Sequence, residues 1–171
     1  SKNLLIILSL FPGANAEMLN KIAHISDYLV DEIGLNITIR PHPYDKKANI
    51  LKKLKWKNLP SKWVWSQKNL ESDLQNSYCV VTMYSSAAID AVLSNNILVI
   101  LKSELNIGEN FLDTLEDQFS VLKSTTEKNL KAKLTEIFLT KINTYSAEFS
   151  KIKSKISLNI NKNKYKELIE K

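Results

Sequence analysis

A chain of 171 residues, 44% hydrophobic and 25% charged with a mean hydropathy of −0.19, has the size and composition of one soluble globular domain with a sizeable core. That excludes a disordered chain, and its apolar runs fall far short of the roughly 20 residues of a bilayer-spanning helix. The net charge of +6 is uneven: residues 151–171 hold seven lysines against Glu167 and Glu170, leaving +1 for the rest, so a pI of 9.2 does not imply nucleic-acid binding.

Residues 4–8, an unbroken apolar run bounded by Pro12 and Gly13, suit a strand buried on both faces. From residue 17 to 33 the period changes. Met18, Ile22, Ile25, Leu29 and Ile33 share one helix face, and Gly34 closes it as a C-cap. Residues 36–40 form a short β-branched strand ended by Pro41 and Pro43. A helix over 45–54, a brief strand over 63–65 and a helical turn or two over 70–74 follow. Residues 78–83 read as a strand and 86–93 as a helix. After the turn-forming Ser94-Asn95-Asn96 comes a purely apolar strand over 97–101.

Beyond Leu101 the pattern loosens to a loop at Gly108, a short helix over 111–115, an edge strand over 119–122 and a helix over 127–139. Alternating helices and apolar strands predict an α/β fold, a doubly wound and mostly parallel Rossmann-like sheet with helices on both faces. Residues 1–141 make up this domain, and residues 142–171 a lysine-rich helical extension of it. The N-terminus has no charged leader and no cleavage pattern, so the chain reads as cytoplasmic.

In such sheets ligands sit beyond the carboxyl ends of the strands. Three strand-exit loops have unusual content: residues 9–16, Arg40 to Asp45, and Tyr84-Ser85-Ser86. Ser85 or Ser86 stands at a helix N-cap, where free backbone N–H groups and the helix dipole attract anions, although serine is a preferred cap everywhere. His42, held between Pro41 and Pro43, suits donation to a phosphate, a sugar or a base. Arg40 either clamps phosphate or pairs with Asp90 or Asp45. Gly13 permits close backbone approach, but the loop lacks the three-glycine dinucleotide fingerprint. Glu17 caps its helix or touches ligand, and Glu109 or Asn110 borders a ribose.

Other residues read more plainly. Cys79, inside an apolar run, serves as a small buried hydrophobe. One cysteine with His24 and His42 gives no zinc or iron ligand set, so no metal site is assigned. Trp56, Trp63 and Trp65 belong to the core or to an interface. Eight lysines fall between Lys46 and Lys68 with no acidic residue before Glu71, either as a solvated face or as attraction toward anionic donors, glycolipid acceptors or a membrane surface.

The His42-Pro43 motif, followed by Ser85-Ser86 and Ala87-Ala88-Ile89-Asp90 on a small-residue helix, resembles bacterial sialyltransferases, polysialyltransferases and capsular Kdo transferases over residues 4–122. Wall-polymer glycerophosphotransferases share a related pattern. The resemblance implies the donor-binding half of a two-domain GT-B glycosyltransferase for capsule, lipopolysaccharide or related surface glycans. His42 and Pro43 would lie beside the donor's cytidine nucleotide, Ser85 and Ser86 on its phosphate, and Asp90 behind them.

The implied ligand is a nucleotide-sugar donor, CMP-linked by preference, with no tightly bound cofactor and no nucleic-acid partner. The acceptor, a glycan or glycolipid, and the general base would belong to an N-terminal domain outside this chain, with peripheral contact at the inner face of the membrane through the lysine clusters, leaving the chain alone inactive. A non-catalytic nucleotide-binding or regulatory domain, or half of a sugar-nucleotide epimerase, shares the same features.

Overall fold

A computed structural model describes residues 2–44, 47–56, 58–104, 118–140 and 145–169, with the side chains of residues 47, 48 and 159–169 left aside. Six strands form one wholly parallel sheet: β1 Asn3–Ile7, β2 Asn36–Arg40, β3 Trp63–Trp65, β4 Cys79–Thr82, β5 Ile97–Leu101 and β6 Leu122–Thr125, in the spatial order β3-β2-β1-β4-β5-β6. This is a Rossmann-like, doubly wound α/β fold. Chain direction across the sheet reverses between β1 and β4, which makes the carboxyl ends of those two strands the switch point.

The apolar runs dictate the centre of the sheet. Leu4, Leu5, Ile6, Cys79, Val80, Val81 and residues 97–101 are buried, since β1, β4 and β5 have neighbours on both edges and helices over both faces. Helices α1 Pro12–Ala23 and α2 Lys47–Lys53 pack together on one face. Right-handed crossovers send α3 Leu70–Gln75 and α4 Ala87–Leu93 to the other. Helix α5 Glu127–Leu139 returns to the face of α1, where its Thr135 hydroxyl, donating to the Lys131 carbonyl at 2.8 Å, accepts from the Tyr28 hydroxyl at 3.1 Å. Helix α6 Ser146–Ile169 packs on α4 and buries Phe149, Ile152 and Ile156.

Two elements, α1 and the last strand, differ from the sequence reading by three residues or more at both ends. Helix α1 starts at Pro12 instead of residue 17, because proline at the first helical position has a preset φ and no N–H to lose. It ends at Ala23, and a π-helical turn, Tyr28–Glu32, carries the chain onward through the Ile33 N–H bond to the Tyr28 carbonyl. Gly34, at φ +79°, then makes the left-handed turn into β2. The last strand is Leu122–Thr125 instead of 119–122: Leu122 N–H bonds back to the Phe119 carbonyl in a turn, and pairing with β5 begins only at Leu122. It is nevertheless the edge strand, and α5 has the expected bounds.

Candidate functional site

The strand order sets the site. β2 and β4 are separated only by β1, so the two sequence motifs flank the β1 exit at the switch point. Two inter-strand spacings of about 4.8 Å put the strand ends roughly 10 Å apart.

At the β2 exit, His42 is half-buried and its Nδ1 accepts the Tyr44 backbone N–H at 3.3 Å. In a neutral imidazole so engaged, Nε2 carries the proton and is the ring's donor. Tyr44 lies against the histidine ring, with centroids 5.6 Å apart, and is 87% exposed. Pro43 is exposed in the same turn.

Arg40 does not join this group. Its guanidinium donates to Asp73 Oδ2 at 2.7 Å and to the Lys68 carbonyl at 2.8 Å, and Ser66 Oγ donates to the same carboxylate oxygen at 2.6 Å. The partner anticipated on α4, Asp90, is exposed and forms no ion pair with Arg40. Asp73 is 33 positions away in sequence and reaches Arg40 only because β3 lies beside β2 and α3 follows it. Asp45, the other anticipated partner, lies outside the described residues, as do Glu109 and Asn110.

At the β4 exit, Thr82 Oγ1 donates to the Ile7 carbonyl at 2.9 Å, tying β4 to β1 just where the strands part. Ser86 occupies the N-cap of α4 but makes no side-chain cap. The buried Ser85 Oγ instead accepts the Ala87 N–H at 3.3 Å. The exposed Ser86 hydroxyl has no partner among the described residues.

Between the motifs runs the β1 exit, residues 8–11. Leu10 and Phe11 are 57% and 46% exposed, and Phe11 meets Tyr84 edge-on at 6.1 Å. Gly13 lies within the first turn of α1 and has helical geometry, so the expected open loop over 9–16 is four residues shorter than anticipated. The bend is held by Asn15, which is buried and bonds both backbone groups of Ser9. Sequence reasoning passed over Asn15, Asp73 and Thr82. Each acts on a partner distant in the chain or hidden in a bend, and no spacing signals that.

Comparison with protein-family models and with curated proteins finds no match for this chain.

Beside the crevice, Glu17 neither caps α1 nor stands free. It accepts from Lys21 Nζ at 2.7 Å, from the Ser103 hydroxyl and from the Glu104 N–H at 3.0 Å, so it clips the β5 exit to α1. Burial pushes its carboxyl up, but these hydrogen bonds and the lysine charge outweigh that and hold it below the usual carboxylate range. Burial pushes the Lys21 ammonium down, but Glu17 and the more distant Glu104 and Glu127 outweigh that and hold it above the usual lysine range.

His24 is exposed at the end of α1, 3.4 Å from Glu127. Trp63 is core, its indole N–H donating to Ser26 Oγ at 2.8 Å, and Trp56 packs edge-on against it. Cys79 is fully buried, which raises its thiol pKa. Among the described residues no cluster of three or more His, Cys, Asp or Glu is placed to hold a metal, and no helix is long and apolar enough to cross a membrane.

Proposed function

We propose that the switch-point crevice binds the nucleotide of a nucleotide-sugar donor, CMP-linked by preference, and that the chain is the donor-binding half of a GT-B glycosyltransferase for surface glycans. One observation carries this: the strand order brings the His-Pro turn and the Ser-Ser turn to either side of a single strand exit. His42 Nε2 and the Ser86 hydroxyl are donors at that edge, while the N–H groups of Ala87, Ala88 and Ile89 are taken up inside the helix cap by Ser85 and Ser86. Donors of this kind bind phosphate and stabilise the charge that develops on the departing nucleotide.

Pro43 holds the turn, and Ser85 keeps the first turn of α4 in place while offering its own hydroxyl proton. Arg40 serves the scaffold by fixing the β2 exit against α3. The acceptor and the general base belong to a second domain, so the 171-residue chain alone transfers no sugar.

Titration with CMP, CDP and UDP, read by calorimetry and by thermal shift, tests the proposal. Saturable binding of cytidine nucleotides is expected, with stabilisation of about 2.7 kcal/mol at a hundredfold excess over Kd. No saturable response to any of the three sinks it.

A further inference from the structure

We propose that the corner of the fold where α2 ends and β3 begins docks on an anionic lipid bilayer. The sequence has eight lysines between Lys46 and Lys68 and no acidic residue until Glu71. The fold gathers part of this run. Lys52 and Lys53 end α2, the Lys55 N–H is pinned to Asn20 Oδ1 of α1 at 3.3 Å, and Lys62 makes the left-handed turn (φ +60°) into β3. The edge-on contact of Trp56 with Trp63, at 5.9 Å, pulls the segment after α2 against the start of β3, so Lys55 and Lys62 flank one aromatic pair. All four lysines are exposed, and none makes an ion pair among the described residues, although the exposed Asp27 adjoins Ser26, the partner of Trp63.

The bland explanation covers only half of this. Lysines in the last turn of a helix complement its dipole, which accounts for Lys52 and Lys53 but not for Lys55 and Lys62. The chemistry favours a bilayer over a specific phosphate or nucleic-acid site. Lysines are flexible, strongly hydrated point charges suited to a diffuse anionic surface, and the chain's single arginine is engaged with Asp73.

Apolar groups accompany the charge, as interfacial contact requires: Leu54, Trp56 and Leu59 are half-buried, and Val64 on the edge strand is 54% exposed. The corner is at the amino ends of the strands, so docking there leaves the carboxyl-end crevice open. The inference stands whether or not that crevice binds a nucleotide.

Co-sedimentation of the 171-residue chain with vesicles of phosphatidylcholine alone, and of phosphatidylcholine with about one third phosphatidylglycerol, tests the inference. Binding to the anionic vesicles only, lost at high salt, is expected. Each lysine is worth about a fivefold change in affinity, so Lys52→Gln/Lys53→Gln/Lys55→Gln/Lys62→Gln should weaken binding by at least about tenfold. Lys68→Gln/Lys128→Gln/Lys151→Gln/Lys153→Gln, with the same change in net charge elsewhere, should stay within about threefold of the native chain. Equal losses in the two variants would mean that net charge alone is at work and overturn the proposal.

The native chain supplies a readout that does not depend on the variants folding. Its three tryptophans, Trp56, Trp63 and Trp65, all lie in this corner or on the edge strand. Brominated anionic lipid should quench their fluorescence; binding without quenching, or no binding to anionic vesicles at low salt, overturns the proposal.

Discussion

Asn15 acts as a short piece of neighbouring strand for Ser9: its Oδ1 accepts the Ser9 N–H and its Nδ2 donates to the Ser9 carbonyl, both at 2.8 Å. Just past the end of β1 the chain leaves the sheet, and these two buried backbone groups would otherwise lose their partners. Asn15→Ala should therefore cost about 2–4 kcal/mol, the desolvation of two orphaned groups, measured by urea unfolding. Asn15→Asp should not rescue it, because a carboxylate cannot donate to the carbonyl.

The two motifs should respond differently to truncation. His42→Ala is expected to weaken cytidine-nucleotide binding about tenfold or more at unchanged stability, because His42 is a half-buried turn residue whose only bond among the described residues is local. Ser86→Ala should behave likewise. Ser85→Ala should weaken binding and also cost about 1 kcal/mol of stability, since its oxygen covers the Ala87 N–H. Unchanged affinity in both His42→Ala and Ser85→Ala/Ser86→Ala, measured by calorimetry, would remove the motifs from the site.

Arg40 should behave as scaffold. Asp73 is 4% exposed, so Arg40→Ala leaves a buried carboxylate with only the Ser66 hydroxyl among the described residues and should destabilise by about 3–5 kcal/mol. The double variant Arg40→Ala/Asp73→Ala should recover part of that loss. A single variant of native stability with abolished nucleotide binding would return Arg40 to the ligand.

The Glu17–Lys21 pair gives stability a defined pH dependence. Glu17 has a folded pKa below its ordinary value of 4.5, so its contribution is present above that value and is lost as pH falls through the folded pKa. Lys21 has a folded pKa above 10.5, so its contribution is present below that value and is lost only as pH rises through the folded pKa. Both contributions are therefore present at neutral pH, and they describe one interaction seen from two sides. Unfolding free energies measured from neutral to acid pH should fall less steeply for Glu17→Gln than for the native chain. Parallel curves would contradict the clip.

Cys79 should be inert in the native state. It is fully buried in β4, and burial holds the thiol protonated well above its ordinary range. An aromatic disulfide reagent should label it only at the rate of global opening, and full labelling should require denaturant.

Periodicity alone made the central strands and α5 legible, because buried parallel strands need unbroken apolar runs and an amphipathic helix repeats its apolar face. It failed where one residue outweighed the pattern. Pro12 started α1 early, and the turn at Phe119 delayed β6 to the point where β5 could accept it. His42, Ser85 and Ser86 stood out as polar residues at strand exits. The β1 exit stood out as a loop too, but its place between the other two did not, because nothing local records which strands lie side by side.

The sequence by itself determined the α/β class, the parallel character of the sheet and the polar content of its strand exits, since those follow from local periodicity and the chemistry of single residues. Only the tertiary structure decided the order β3-β2-β1-β4-β5-β6, the capture of Arg40 by Asp73 and the tie between Glu17 and the β5 exit. Each of these joins residues far apart in the chain, and such contacts are set by the burial of whole strands and helices against one another, which no short stretch of sequence encodes.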